Sequence, residues 1–446
     1  MDSQHRLDDT KSWDGDEDLE EMSFIFKTYK IRFFGLTVIA LCNIVSSMNW
    51  LSVAPVPDSS KEFLGISLTE INWFSNVFML VYLFAGPLSS WSYDRFGIKM
   101  GLVIGAMLQA LGSWLRYFSV FINDPTGRFA LAMIGQVVCA IGQPFILNIC
   151  TPYAALWFSA DGRGTATMVG GIANSIGMAV ASLILPAIVT TADTVPTGFL
   201  VIACATTACA IPAFFVPKKP KTPPSYSASS KNKFAISFGQ SLRELASNWN
   251  YLVIMVSFGI LCGLASAFTS ILTQIVAPYG INADDAGFLG AAFIIAGLVG
   301  AIVTGIFIDK TGRHKLVMKV YVPIDGALYL AFYFVVVKEL GYDAMMAICV
   351  LLGFFTFSLL PVCLELSVES SYPISESISS SLLWMCSQVL GLVILSVMDA
   401  LRDAQNKYTN GLIFVVCVAF PVTILTTIYN SPNKRLEFEE RNKGSN

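Results

Sequence analysis

The chain has 446 residues, of which 54% are apolar and only 13% charged, and its mean hydropathy is +0.64. A soluble domain carries roughly a quarter charged residues, so this composition excludes an ordinary soluble protein and indicates a membrane protein. The net charge is −3, but much of the acid lies in the first 22 residues. The mildly basic remainder has no patch suited to nucleic acid, so we expect no nucleic-acid partner.

The chain begins with an acidic segment, 1–28, that lacks the apolar core of a signal peptide. We predict a disordered cytosolic tail here, because so polar a segment has too little apolar surface to fold. Twelve apolar runs that follow can each cross ~30 Å of hydrocarbon at ~1.5 Å per residue. Their approximate ranges are 32–54, 70–92, 98–121, 129–152, 167–190, 197–216, 251–276, 286–308, 316–337, 344–368, 378–400 and 409–429.

Lysine and arginine placement predicts the orientation. With both termini in the cytosol, roughly 22 of the 28 basic residues fall on cytosolic segments and roughly 6 on external ones, which is the bias of the positive-inside rule. We therefore expect an integral multi-pass protein with both termini inside, in the plasma membrane or an internal organelle membrane. The segment 431–446 is then a second cytosolic tail.

The segment 217–250 separates the sixth apolar run from the seventh. It carries several lysines, prolines and serines, the composition of a solvated linker. We predict two six-helix bundles, 29–216 and 251–430, joined by this cytosolic linker. Within it, 234–246 has weak helical periodicity, which indicates either a helix on the membrane surface or a wholly disordered loop.

A polar motif occurs twice, each time between two apolar runs: Ser90–Lys99 (SWSYDRFGIK) and Gly305–Lys315 (GIFIDKTGRHK). The glycines at 305 and 312 permit close backbone approach and a tight corner, and Asp309 can cap the next helix or pair with Arg313. The plain alternative is a basic cytosolic turn. The motif resembles the loop between the second and third helices of each half of major facilitator superfamily transporters, although Ser90 replaces the first glycine in the earlier copy.

This resemblance implies the major facilitator fold: an all-α membrane protein with twelve transmembrane helices in two pseudo-symmetric six-helix bundles. Two such bundles can rock around a central cavity and expose it alternately to the two sides of the membrane. The loop residues become gating candidates, namely Asp94, Arg95, Asp309 and Arg313.

Polar or aromatic side chains within the spans are the candidates for a substrate site. Asn49 and Trp50 interrupt the first span; an indole offers a cation–π platform worth ~1–2 kcal/mol when desolvated, or belongs to an interfacial belt. Gln136 and Gln143 lie on nearly one face of the fourth span, where each could instead join helices by hydrogen bonds. Gln388 lies ~15 Å into the eleventh span, close to the bilayer midplane.

Acidic residues in the spans suggest gating or coupling. Glu365 and Glu369 share a face of the tenth span near its cytosolic end, where a buried carboxylate needs a partner. Glu369 and Glu376 are either solvated helix ends or gate partners of basic loop residues. Asp325 on the ninth span is a further buried acid. A uniporter needs none of these groups, whereas proton symport would use Glu365 or Asp325.

Three stretches resemble the feline leukaemia virus subgroup C receptor-related family: Glu70–Trp73 (EINW), Gly142–Leu147 (GQPFIL) and Glu365–Pro373 (ELSVESSYP). The resemblance covers about 30 to 430 and is strongest to the family's major-facilitator-domain-containing-7-like branch. It implies a carrier of choline or ethanolamine, or an exporter of haem, since members of both kinds are described.

In the choline carriers of this family, a first-span tryptophan and glutamines on the fourth and eleventh spans meet the substrate. Trp50, Gln143 and Gln388 match those positions, and Asn49 is their neighbour. A seventh-span aromatic completes the cage in those carriers, and Ser266 takes its place here. Phe268 is nearby but about 200° around the helix. This departure predicts weaker binding of a quaternary ammonium, or a bulkier substrate.

The sequence gives little support to the other functions. The spans contain no histidine, so axial ligation of haem would fall to Cys, Tyr or Met. The ten cysteines lie in apolar runs without metal or disulfide spacing and are interpreted as small hydrophobes. We expect no cofactor and no enzymatic activity, and a monomer whose partners are a small-molecule substrate and the bilayer. A transport-inactive sensor or receptor with the same fold is the alternative class.

Overall fold

The computed structural model describes residues 28–222, 238–371, 374 and 376–430. In this part of the chain the regular structure is helical, and twelve helices are long and apolar enough to cross a membrane. Their bounds are α1 Ile31–Trp50, α2 Leu68–Phe96, α3 Ile98–Phe118, α4 Pro125–Leu147, α5 Ala160–Ile188, α6 Val195–Ala210, α7 Trp249–Val276, α8 Ala283–Thr311, α9 His314–Val337, α10 Tyr342–Ser371, α11 Glu376–Ala400 and α12 Thr409–Ile428. The predicted all-α fold with twelve membrane-spanning helices is confirmed.

The two halves repeat one packing arrangement. In each half the first helix packs on the fifth, the second and third pack on the fourth, and the third packs on the sixth. Small residues permit the closest approaches. A Cβ at Gly112 of α3 would overlap the backbone of Gly135 on α4, and one at Gly353 of α10 would overlap the carbonyl group of Phe293 on α8.

Short helices complete the described chain. Pro57–Leu64 lies between α1 and α2, Cys150–Trp157 continues α4, and Phe238–Ser247 precedes α7. Phe238–Ser247 buries Ser241 and Leu245, one turn apart, and exposes much of its remaining surface, so the helical alternative for 234–246 is the observed one over these residues. The segments 1–27, 223–237 and 431–446, which hold most of the predicted tails and part of the linker, lie outside the described residues.

The halves meet along two helix pairs, α2 with α11 and α5 with α8. We call the end of the spans at which α1 begins and the 217–250 segment joins the halves the linker end, and the opposite end the far end. The α5–α8 contact is tight toward the far end, where a Cβ at Gly287 of α8 would overlap the carbonyl oxygen of Ser182 on α5.

The repeated loop motif differs in detail from the prediction. Gly312 ends α8 in the left-handed conformation at φ 65°, as expected of the second motif glycine. Gly305, in contrast, lies within α8 with open space around its Cα. Asp309 lies in the last turn of α8, and the N-cap of α9 is Arg313.

Two buried glycines of the second half allow a matched test of this packing. We expect Gly353→Ala to destabilise the protein by ~1–3 kcal/mol, because the added methyl group overlaps the α8 backbone. Gly326→Ala on α9 should be neutral or slightly stabilising, since its Cβ would have no neighbour nearer than 3.9 Å and alanine favours helix. Thermal melting of both variants in detergent measures the difference; equal melting temperatures would contradict the packing.

Candidate functional site

Side-chain amides within the spans fall into two groups. Most are buried and hydrogen-bonded, as hydrocarbon requires of polar groups. Asn43 donates to the carbonyl oxygen of Ile146 at 3.1 Å, and Gln109 donates to that of Cys139 at 3.0 Å. Such amides connect helices of one half. The second group makes no hydrogen bond with a described residue and is the starting point for a site.

The largest group of bonded amides surrounds Arg116, whose side chain is 0% exposed near the far end of α3. The guanidinium donates to Asn49 Oδ1 at 2.6 Å, to Ser52 Oγ at 3.0 Å and to the Gln136 side chain. It lies 5.5 Å from the ring centre of Phe199. No described carboxylate forms a salt bridge with it. The positive charge is therefore solvated by neutral oxygens and an aromatic face.

Asn49 is held entirely by this cluster. Its amide nitrogen donates to Gln109 Oε1 at 2.9 Å and to Thr206 Oγ1 at 3.1 Å, while its oxygen accepts from Arg116 and Ser113. An amide so fully bonded inside the first half has no capacity left for a solute. The expectation that Asn49 binds substrate is therefore corrected to a structural role. Gln136 likewise joins helices, donating to the carbonyl oxygens of Asn49 and Phe74.

The unpartnered group contains Gln143 on α4, Gln388 on α11 and Asn174 on α5. Gln143 is 8% exposed, and the other two are half-buried. No described residue hydrogen-bonds any of the three side chains. Gln143 and Gln388 were predicted from the sequence. Asn174 was not, although an asparagine in the middle of a span was the available signal. Because an unsatisfied amide in a membrane interior is costly, these three must meet water or a solute.

Gln388 lies on the face of α11 that is turned toward the first half. Three contacts define that face: Asp399 with Asn72, Ser396 with Asn76, and Gly391 with Met79, all to α2. At ~100° per residue, Gln388 is within ~60° of Gly391 and ~20° of Asp399 about the helix axis. It is nevertheless half-exposed, so its amide borders the space between the halves.

Ser266 lies within ~60° of Gly263 about the axis of α7, and Gly263 packs against Gly391 of α11. Phe268, two residues on, packs in the core of the second half, with ring centres 5.0 Å from Phe332 and 5.2 Å from Phe293. Ser266 lies ~160° around the helix from Phe268 and is half-buried. Phe268 therefore does not replace the aromatic wall that the serine leaves out.

Trp50 ends α1 directly after the Arg116 cluster. The indole is 8% exposed, and its Nε1 is buried without a hydrogen-bond partner among the described residues. This burial inside the protein disagrees with the interfacial-belt alternative, in which the ring would contact lipid and headgroups.

Contact points between helices give the depths of these residues. Gln136 contacts the backbone of both Asn49 and Phe74, so Trp50 lies near the depth of Phe74. Gln143 is ~10 Å further toward the linker end along α4.

The depth of Gln388 follows from the contact between Met79 of α2 and Gly391 of α11. Met79 is ~7 Å nearer the linker end than Phe74, and Gln388 is ~4 Å nearer the linker end than Gly391. The two glutamines thus lie at nearly one depth, ~10 Å below the indole.

A polar cluster joins the halves at the far end, and we call it the far-end lock. Asn72 of α2 donates to Asp399 Oδ1 of α11 at 2.8 Å and accepts from Gln274 of α7 at 2.6 Å. Tyr408 donates to Gln274 at 2.7 Å. Arg402 pairs with Asp399 at 3.6 Å and donates to Thr69 Oγ1. Burial raises the pKa of Tyr408 to about 12, so its phenol remains a donor at neutral pH.

The predicted gating and coupling residues are dispersed. Arg95 and Arg313 are exposed at the linker end, and the side chains of Asp94 and Asp309 lie outside the described part. At the linker end of α10, Glu365 is exposed and Glu369 half-buried, and each has an interaction partner.

Asp325 lies apart from the space between the halves, buried between α9 and α10 in the second half. Thr356 donates to its Oδ1 at 2.5 Å, while Oδ2 has no hydrogen-bond partner among the described residues. The structure therefore does not bring Asp325 together with the glutamines.

Comparison with known proteins identifies the family. The model of the Major Facilitator Superfamily matches residues 39–430. The chain belongs to this superfamily. It is 34% identical over 382 residues to Solute carrier family 49 member A3 of Xenopus tropicalis, covering 82% of this chain and 77% of that protein. It is 28% identical over 433 residues to Choline/ethanolamine transporter FLVCR1 of Mus musculus, covering 91% and 76%.

These relatives confirm the resemblance to the feline leukaemia virus subgroup C receptor-related family, and the protein is a membrane transporter of the major facilitator type. Among solved structures, a crystal structure of a D-xylose-proton symporter superposes with a TM-score of 0.71 at 13% identity, covering 90% of this chain and 98% of that one. That likeness supports the fold of the transporter.

The Arg116 cluster makes a prediction about stability. We expect Arg116→Met to cost ~3–5 kcal/mol, because it leaves Ser52 and Gln136 with buried unpaired oxygens and removes one of the two donors to Asn49 Oδ1. Arg128→Met is the matched control. Arg128 is half-buried at the start of α4 and donates to the carbonyl oxygens of Phe63 and Ile122.

Melting temperatures of both variants, purified in the same detergent, measure the difference. Arg116→Met should melt well below the wild type, and Arg128→Met close to it. An equal decrease of the melting temperature in the two variants would mean that the buried Arg116 contributes no more to stability than the half-buried Arg128.

Proposed function

We propose that this transporter carries a small organic cation of the choline or ethanolamine type. The observation that supports the proposal most is the set of unpartnered carboxamides, Gln143, Asn174 and Gln388, in spans where the other buried amides described here are bonded within the protein. A carboxamide both donates and accepts hydrogen bonds, so it suits the hydroxyl group of an amino alcohol. The name of the Mus musculus relative indicates the same substrate class.

The cationic part of the solute is assigned to Trp50. A tryptophan face attracts an ammonium group without a counter-ion, by ~1–2 kcal/mol in a desolvated site. The Trp50 backbone is held by the Arg116 cluster through the preceding residue, so the ring has a fixed support. The hydroxyl end would then extend toward the glutamines, which lie ~10 Å nearer the linker end.

We further propose alternating access, with the far-end lock as one gate. Four hydrogen bonds cross from α2 to the second half at this end: Asn72 with Asp399 and Gln274, Asn76 with Ser396, and Arg402 with Thr69. In the state described here, the far end is closed by these bonds. With both termini in the cytosol, the lock faces the outside and the site is reached from the linker end.

Counter-flow in proteoliposomes tests the transport proposal. We expect the wild type preloaded with unlabelled choline or ethanolamine to accumulate the labelled compound. Trp50→Ala should reduce this exchange about 5- to 30-fold, because it removes a cation–π contact of ~1–2 kcal/mol, while the folded fraction is unchanged. Trp73→Ala, which removes an indole that is 43% exposed on α2, is the matched control and should leave exchange intact.

Two outcomes of this measurement would contradict the proposal. Binding of choline or ethanolamine without exchange would indicate the sensor or receptor alternative. Exchange that survives Trp50→Ala would remove the indole from the site.

A charge exchange tests the lock. Asn72→Asp places a second carboxylate against Asp399, where the native contact is 2.8 Å, and like charges so close repel. We expect uptake to fall several-fold and the far end to open, measured as a longer distance between spin labels placed on exposed Thr191 and Asp284.

Adding Asp399→Asn to that variant restores one amide and one carboxylate with their positions exchanged. The double variant should therefore recover much of the uptake and the short label distance. If it behaves no better than Asn72→Asp alone, the contact between these two side chains does not act as a gate.

A further inference from the structure

Trp384 lies one helical turn before Gln388 on α11. It is ~40° from Gln388 about the helix axis and so belongs to the face that α11 turns toward the first half. Its indole is half-buried. No described residue hydrogen-bonds its Nε1. The hydrocarbon of the bilayer offers no hydrogen-bond partner at this depth.

The ring is fixed from behind. Phe258 of α7 is fully buried and meets the indole edge to face, with ring centres 5.2 Å apart at 88°. Such pairs stabilise one ring orientation. Since Phe258 contacts one side of the indole and Gln388 flanks it along the helix, the remaining surface borders the space between the halves.

The arrangement around Trp384 fits an ammonium group. An indole face next to a carboxamide offers a π surface for the cation and a hydrogen-bond partner for an attached hydroxyl group.

We infer that Trp384 is a specificity-determining residue for an ammonium-bearing solute, supplying an aromatic wall from the second half as Trp50 does from the first. This inference rests on the proposed function. The inference extends the proposed function by naming the side chain that recognises the cation on the linker-end side of the site. Trp384 lies ~6 Å nearer the linker end than Gln388 and therefore ~16 Å below Trp50, so choline would meet the two indoles at successive positions along its path.

The test compares choline with 3,3-dimethyl-1-butanol, its neutral isostere of nearly the same shape. Uptake of labelled choline is measured in proteoliposomes for the wild type, Trp384→Phe and Trp384→Leu, with the isostere as competitor. We expect the KM for choline to rise about tenfold in Trp384→Leu and less in Trp384→Phe, because phenyl is the weaker π partner. Inhibition by the neutral isostere should change less than twofold.

Trp91→Leu serves as the control for loss of an indole. Trp91 is 55% exposed on α2, and its replacement should leave both ligands unaffected. Melting temperatures within a few degrees of the wild type exclude misfolding of the Trp384 variants.

The outcomes separate the two proposals. If the wild type carries choline and Trp384→Leu has an unchanged KM, the assignment of Trp384 is wrong while the proposed function stands. Equal weakening of choline and its isostere also overturns the assignment, since the ring would then act through shape alone. A wild type that carries no ammonium compound overturns the proposed function, and this inference with it.

Discussion

The absence of any hydrogen-bond partner in hydrocarbon is the constraint on which the structure depends. Arg116 is its most demanding case, because a guanidinium must be solvated within the protein and no described carboxylate pairs with it. Asn49, Ser52 and Gln136 supply the oxygens, from α1, the turn after it and α4. The far end of the first half is thereby held as one unit, and Trp50 is the next residue along the chain.

The same constraint distinguishes the site from its supports. An amide that binds another helix has spent its hydrogen-bonding capacity on the fold, as Asn49 and Gln136 have. An amide left without a partner must border a wet space, as we argue for Gln143 and Gln388. Burial alone does not make this distinction, because Gln136 and Gln143 are both buried. The presence or absence of hydrogen-bond partners separates the two kinds of amide, and it adds Asn174 to the candidates for the site.

Hydropathy and charge were sufficient to predict the twelve spans and the helical fold, because lipid imposes length and composition on each span separately. They were insufficient for Asn49, since helical periodicity gives the angle between two residues but not which neighbour each face meets. The far-end lock was also beyond prediction. Asn72 and Asp399 are more than three hundred positions apart, and each alone resembles an ordinary polar residue at a helix end.

The strength of the lock has to match what a small solute can supply. A hydrogen bond contributes ~0.5–1.5 kcal/mol net, so four bonds across the far end amount to ~2–6 kcal/mol. Reversing a conformational equilibrium from 1:99 to 99:1 requires ~5.5 kcal/mol of differential binding, which is within reach of a ligand that meets one indole and several amides. A buried charge that loses its partner costs ~3–5 kcal/mol, so a lock built from buried ion pairs would resist so small a substrate. The bonds that cross this interface use amides, hydroxyl groups, one carboxylate and Arg402, whose ion pair with Asp399 lies within the second half. This composition is consistent with a gate that closes firmly but remains reversible.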